Sequence, residues 1–517
     1  MTRGKKALIN SSSRFLYEIV AIVCSFILPR LILSYYGSAV NGLVLSITRL
    51  LAISTFIDAA IGGVTRAAFY KPLSNNDTSL ISKIYVAANK FYKKVSLIFV
   101  AYTLMVACFL PTINNEGFGF EFIFFLTLTT SFSTFIQFII GATNTVLIYA
   151  DQKVFLITLI NTATIILNTV ATAVLIRLNC SIQVVKLTTS IIFAVRPIFA
   201  YFYCKSHYSI NKKAIYEQDP IPNKWSGFGH QIAETVRSNG DVVILTVLSV
   251  YSNVSIYAVY ALITDGLTKF LEALRSGMGP SFGNMLVTEP IDKVRKRFSL
   301  FEWVMNVSAC ILFTCAAILI VPFVTVYTHN ISDAQYAQPL FGLLIVISAM
   351  LHNMKNPYLM IVFAAGHYKE TQKHAYVEMC INILLSVILV RLFGLNGVAI
   401  GAIVAMLYRI GKSALYVKDS IIQYRIQNVI AKLGINTGVL FGSNIISRHV
   451  FTPDIQSYIQ WVAYATVVFV CVSIITITLY TFVFRDDAKA FVAFARRVIK
   501  GTGGKTQHDK GIDSRCV

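Results

Sequence analysis

The sequence predicts an all-α polytopic membrane protein with about fourteen transmembrane helices, arranged as two pseudo-symmetric six-helix bundles followed by two further helices. Three observations predict it. Of the 517 residues, 56% are hydrophobic and 13% charged, with a mean hydropathy of +0.66, a balance outside the range of soluble domains. Apolar runs of span length recur along the whole chain. The loops between them alternate between rich in Lys and Arg and empty of both.

Taken in order, the runs predict spans at 15–35, 41–65, 94–112, 121–148, 154–176, 184–204, 228–250, 254–278, 299–326, 338–364, 374–393, 398–418, 434–450 and 457–484. The first follows Arg3, Lys5, Lys6 and Arg14 like a signal peptide, but its length and its Glu18 and Arg30 favour an uncleaved helix. The thirteenth is the least apolar, with Asn436, Ser443, Asn444 and Ser447, and fits either a span or a re-entrant segment. Two further stretches have the pattern of helices lying along the headgroups. In one, Ile81, Ile84, Tyr85, Ala88 and Tyr92 oppose Lys83, Lys90 and Lys93; in the other, Phe491, Phe494, Ala495 and Val498 oppose Lys489, Arg496, Arg497 and Lys500. The polar stretch 501–517 is expected to be disordered.

Net charge is 45 − 24 = +21, and its placement decides its meaning. Basic residues gather in the N-terminus, 71–94, 205–224, 293–297, 412–432 and the tail 485–515, whereas the connections at 37, 114–119, 252, 328–337 and 395–397 contain neither Lys nor Arg. The positive-inside rule puts the first set, with both termini, in the cytoplasm. Trp225 and Trp303 then fall at inner span ends and Trp461 at an outer one. The basic excess is thus a topology signal and an attraction to membrane lipids, not a sign of nucleic acid. Nine cysteines without a CxxC or a Cys/His cluster indicate neither a metal site nor a disulfide framework.

The chain repeats itself. Asn168, followed by Val174, Leu175, Ile176, Arg177 and Leu178, matches Asn382, followed by Ile388, Leu389, Val390, Arg391 and Leu392, at a shift of 382 − 168 = 214. Tyr36 and Tyr251 match at 215, and Arg196 and Arg409 at 213. A near-constant shift carries more weight than any single match. Six spans per copy cross in the same sense, which implies a pseudo-twofold axis along the membrane normal and a path between two lobes. The expected divisions are a first lobe at 1–204, a cytoplasmic linker at 205–227, a second lobe at 228–418, two additional helices at 419–484 and a basic cytoplasmic tail at 485–517.

The second lobe opens with two apolar helices that carry polar stripes. His230, Glu234, Arg237 and Asp241 fall within an arc of roughly 60° at ~100° per residue; Asp265, Lys269 and Glu272 share a face, with Arg275 beyond them. A charge at the bilayer centre costs about 2.5–3.5 kcal/mol on insertion scales, so these stripes should face protein or trapped water. In the first lobe the counterpart, 15–64, carries Glu18, Arg30, Arg49 and Asp58.

Three stretches carry a family resemblance: LILSYYGSAVNGLVLSITRLLAISTFIDAAIGGVTRA at 31–67, YADQKVFLITLINTATIILN at 149–168, and NILLSVILVRLFGLNGVAIGAIVA at 382–405. With these the chain resembles, over nearly its whole length, the multidrug/oligosaccharidyl-lipid/polysaccharide (MOP) superfamily, and within it the Wzx-type flippases of O-antigen and related lipid-linked oligosaccharides. The resemblance implies two MATE-like bundles, alternating access, and transfer of an undecaprenyl-diphosphate-linked glycan across a bacterial plasma membrane. It also implies a place in O-antigen, lipopolysaccharide or other polysaccharide biosynthesis, with other polysaccharide-assembly proteins as partners.

A lipid-linked diphosphate needs cations and hydrogen bonds at bilayer depth, where Arg offers forked contacts and Lys a mobile point charge. The candidate substrate-binding residues are Arg30, Arg49, Arg237, Lys269, Arg275 and Lys355. Directional transport needs a driving ion, and Asp58, Glu234, Asp241, Asp265 and Glu378 are the candidate proton or sodium sites. The alternative is structural: Arg237 with Glu234 or Asp241, and Lys269 with Asp265 or Glu272, at ion-pair spacing. Arg49 and Asp58, nine residues apart, cannot both face the centre of one unbroken helix. A multidrug exporter of the same superfamily is the competing function, although it would want an acidic or aromatic pocket and these stripes mix signs. An enzyme of polysaccharide synthesis is less favoured, since neither a phosphate-binding loop nor a nucleophile–base constellation is visible, and no cofactor is expected.

Overall fold

The computed structural model describes residues 3–54, 56–113, 116–221, 228–450 and 455–499. Trp225 and the tail 501–517 lie outside the described residues, as does the side chain of His230. The described elements are helices: α1 (Arg3–Ile53), α2 (Phe56–Ser74), α3 (Thr78–Ile113), α4 (Phe120–Ile136), α5 (Ala142–Ala150), α6 (Val154–Arg177), α7 (Ile182–His207), α8 (Phe228–Leu248), α9 (Tyr251–Arg275), α10 (Met278–Thr288), α11 (Ile291–Tyr327), α12 (Pro339–Ala364), α13 (Tyr368–Phe393), α14 (Leu395–Val417), α15 (Ile426–Val450), α16 (Tyr458–Val483) and α17 (Arg485–Ile499). A π segment at Gln137–Gly141 joins α4 to α5, and another at Lys418–Ile422 follows α14. Eleven described helical segments are long and apolar enough to cross a membrane.

Element α1 is two arms joined at Gly37, whose φ of 82° and ψ of 176° break the helix. An L-residue would be strained there, and its Cβ would stand 2.8 Å from an oxygen of Asp333. Three of the four polar residues that made the thirteenth span ambiguous are partnered within an unbroken helix. On α15, Asn436 accepts from the Tyr480 hydroxyl at 2.6 Å, Asn444 donates to the Ala317 carbonyl at 3.1 Å, and Ser447 meets Tyr464 at 2.8 Å. This segment belongs to a 25-residue helix rather than a re-entrant loop.

One expectation is corrected. The stretch around Ile81–Tyr92 is the first half of the 36-residue α3, and Ile81, Ile84, Tyr85, Ala88 and Tyr92 are buried rather than turned to headgroups. Phe69, Leu147 and Ala200 cover this face. An apolar stripe opposite lysines looks the same in sequence whether lipid or protein covers it.

The repeat is visible in packing. Within the first copy α1 packs on α6, α3 on α4, α4 on α7 and α6 on α7; within the second α8 packs on α13, α11 on α12, α12 on α14 and α13 on α14. Arg196 of α7 donates to Thr164 of α6 at 2.7 Å, while Arg409 of α14 pairs with Glu378 of α13 at 3.4 Å. The two contacts correspond, since 409 − 196 = 213 and 378 − 164 = 214. The copies meet where α1 crosses α9. There the Asn41 amide donates to the Ser255 hydroxyl at 2.7 Å, and because 255 − 41 = 214, these repeat-related residues touch on the pseudo-twofold axis. Gly42 allows the crossing: a Cβ would lie 1.8 Å from the Tyr251 carbonyl oxygen.

Of the last two spans, α15 docks on the second copy through a buried ion pair that the sequence reading missed. Glu302 of α11 and Lys432 of α15 are both 0% exposed and in contact. The Tyr358 hydroxyl donates to the same carboxylate, and so does that of Tyr424 at 2.5 Å. Lys432 had the appearance of one more base in a cytoplasmic loop; it is the anchor of α15.

Candidate functional site: a chain of polar hollows

Three hollows with shared walls run through the second copy toward the first. The largest, about 540 Å³, lies toward the side at which α1 begins; Glu234, Arg237, Glu272, Arg275, Lys355 and Glu378 contribute to its lining. Arg237, Thr268, His352 and Asn382 also border a second hollow of about 170 Å³, which adds Arg49, Asp241, Tyr257 and Asp265. Arg49, Tyr257 and Asp265 border a third of about 230 Å³, reached by Lys186 from α7 and ending at Asn41. Glu234, Arg237 and Asp241 of α8 and Asp265, Glu272 and Arg275 of α9 therefore border internal space, as the cost of a lipid-exposed charge requires.

The charges divide into tight and loose sets. In the tight set, Lys355 donates to Glu378 at 2.6 Å, and both residues are less than a tenth exposed. Arg409, 2% exposed, stands 3.4 Å from the other oxygen of Glu378. Arg237 is also committed: it holds Glu234 through two nitrogens, with Nε 3.0 Å from Oε2. In the loose set, Arg49 lies 3.9 Å from Asp265 and Arg275 lies 3.9 Å from Glu272, beyond hydrogen-bond range. Lys186 makes no ion pair or hydrogen bond among the described residues. Arg49, Arg275 and Lys186 thus keep donors that no hydrogen bond among the described residues occupies.

Asp241 has a different environment. One carboxylate oxygen accepts from the Tyr257 hydroxyl at 3.2 Å, and the other has no hydrogen-bond partner within range among the described residues, with Asn382 on the same hollow.

The remaining sequence candidates lie elsewhere. The Arg30 guanidinium donates to the Tyr458 hydroxyl and lies 5.8 Å from the Tyr327 ring centroid, in a separate hollow of about 360 Å³ between α1, α11 and α16. Asp58, on α2, accepts from Tyr92 at 2.8 Å inside the first copy. Lys269 is exposed and borders none of the three hollows. Sequence reasoning missed His352 and Lys186 and used Arg409 only as a repeat marker. A single polar residue in an apolar run does not reveal which way it faces, though the match of Arg409 to Arg196 was a usable signal.

Beyond Asn41, on the side opposite the start of α1, the path is sealed. Asp333 accepts from both the backbone N–H and the hydroxyl of Ser38, each at 2.6 Å. The Tyr336 hydroxyl bridges Ser38 at 2.7 Å and Ser255 at 2.9 Å. Asp333 thus ties the Gly37 turn to the 328–338 connection, and Tyr336 links that turn to α9.

Sequence comparison finds no matching family model and no matching characterised protein. Comparison of folds does find matches. The lipid II flippase MurJ, in an inward closed conformation, superposes with a TM-score of 0.66 at 14% identity, over 92% of this chain and 99% of that one. An inward-facing multidrug-resistance MATE-family transporter of the MOP superfamily gives 0.61 at 11% identity, over 77% and 96%. The eukaryotic MATE transporter AtDTX14 gives 0.54 at 11%, over 84% and 97%. The chain therefore has the all-helical fold shared by MurJ and the MATE transporters.

Proposed function

We propose that this protein is a flippase that moves an undecaprenyl-diphosphate-linked oligosaccharide from the inner to the outer leaflet of a bacterial plasma membrane by alternating access. The observation that carries the proposal is the chain of hollows at bilayer depth, in which Arg49, Lys186 and Arg275 keep uncommitted donors. A diphosphate entering from the cytoplasmic side, taken as the side where α1 begins, meets Arg275 first. It then passes Arg237 and Lys355, which can exchange partners with Glu234 and Glu378, and reaches Arg49 and Lys186 beneath the Asn41–Ser255 seal. The lobes at 1–204 and 228–418 would rock about that seal. Return is driven by an ion, with Asp241 as its carrier and Glu234, Asp265, Glu378 and Asp58 as the other acids on the route or near it.

A multidrug exporter is the second reading, favoured by the Asp241–Tyr257 pair, an acid and an aromatic suited to an organic cation. Deletion separates the two. Under the flippase reading, cells lacking the protein accumulate lipid-linked precursor on the inner leaflet. Normal surface glycan combined with sensitivity to cationic drugs would establish the exporter instead, and failure to make the precursor would point to an enzyme.

A further inference from the structure

A hollow of about 1110 Å³ lies apart from the central path, between α11, α16 and α17. Val307, Ile477 and Val492 are among its apolar walls, and its lining includes Arg485, Lys489 and Arg496 and, among the described residues, no acid. At ~100° per residue these three bases fall within roughly 40° of one another on α17. The helix is fixed against the bundle: Ser299 donates to Asp487 at 3.0 Å and Ala488 is buried, while Phe491, Val492 and Phe494 are exposed.

Trp303 closes the inner wall. It is 5% exposed, its ring lies 5.4 Å from that of Phe491, and its indole N–H has no acceptor among the described residues. Buried donors are nearly always paired, so an unpaired one lining a hollow marks a place for a ligand oxygen. The chemistry required is an anion at a basic rim, apolar length behind it, and an acceptor between the two.

We propose that this hollow binds one anionic phospholipid from the leaflet along which α17 lies. Its phosphate sits among Arg485, Lys489 and Arg496, its acyl chains run between α11 and α16, and an ester carbonyl accepts from the Trp303 indole. A zwitterionic lipid finds no acid in the lining for its ammonium group. The site serves to hold α17 and the last spans against the second copy, whatever the central path carries.

The test uses the full-length protein in phosphatidylcholine nanodiscs containing a minor fraction of phosphatidylglycerol, with retained lipid counted by native mass spectrometry after delipidation. One phosphatidylglycerol per chain should be retained, with no phosphatidylcholine and no displacement by inorganic phosphate. Lys489→Gln with Arg496→Gln should lower retention roughly 25-fold, about fivefold per basic residue. Lys489→Arg should preserve it, and Trp303→Phe should weaken it severalfold without releasing α17. Equal retention of both lipids, displacement by inorganic phosphate, or unchanged retention in the double variant would overturn the proposal. So would a lipid-linked diphosphate that outcompetes phosphatidylglycerol, since the hollow would then belong to the substrate.

Discussion

Replacing Lys432 with Met should unseat α15 more severely than its position near a span end suggests. The Glu302 carboxylate would keep its two tyrosine donors but lose the one counter-charge it has among the described residues, at 0% exposure. Breaking a buried pair from one side costs about 3–5 kcal/mol. At ~2–4 °C per kcal/mol for a unit of 150–250 residues, the melting temperature should fall by roughly 6–20 °C. A thiol-reactive dye reads the transition, because Cys310 and Cys315 are buried within the elements that would loosen. Adding Glu302→Gln should recover most of the loss. The amide still engages the tyrosines and no charge is stranded, so about 1–2 kcal/mol should remain. If the two substitutions instead prove additive, the residues are not acting as a pair and the anchoring argument fails.

Three further expectations follow from the same geometry. Gly42→Ala places a methyl group against the Tyr251 carbonyl, so it should part α1 from α9 and raise thiol labelling of a Ser255→Cys reporter from outside the cell; unchanged labelling would count against the seal. Asp333→Asn removes the charge from both bonds to Ser38. Charge-assisted bonds are worth about 1.5–3 kcal/mol each, so the same reporter should become at least several times more reactive. Burial raises the Asp487 carboxyl above its usual range. Because its folded pKa exceeds the unfolded value, folding takes up a proton and stability falls as pH rises through the folded pKa. Asp487→Asn should flatten that dependence in a melting-temperature series between mildly acidic and neutral pH, and an unaltered slope would mean another group is responsible.

Much of this architecture is legible in the residues because hydrocarbon imposes one strong rule, and the runs, the alternating loops and the 214-residue shift all express it. The stripes on α8 and α9 were readable for the same reason: a charge that cannot face lipid must face something else. What the sequence withheld was the identity of that something. Lys269 keeps helical spacing with Asp265 yet is exposed away from the hollows, because a stripe wider than the cavity mouth must spill over its edge. Lys432 sits among loop bases in sequence, but Glu302, 130 positions away, determines its surroundings. Arg30 lies in a hollow separate from the other candidates, where Tyr458 from the last span captures it. For Lys432 and Arg30 the deciding partner is distant in the chain, which periodicity cannot supply.

The most direct measurement is translocation by the purified protein in proteoliposomes loaded with an undecaprenyl-diphosphate oligosaccharide on one leaflet. The account predicts protein-dependent transfer, reduced at least tenfold by Arg49→Gln or Arg275→Gln, each of which removes a charge-assisted contact of about 1.5–3 kcal/mol, with both variants folded and no transport of cationic dyes. Transfer unaffected by either substitution, or dye transport with no lipid movement, would contradict it.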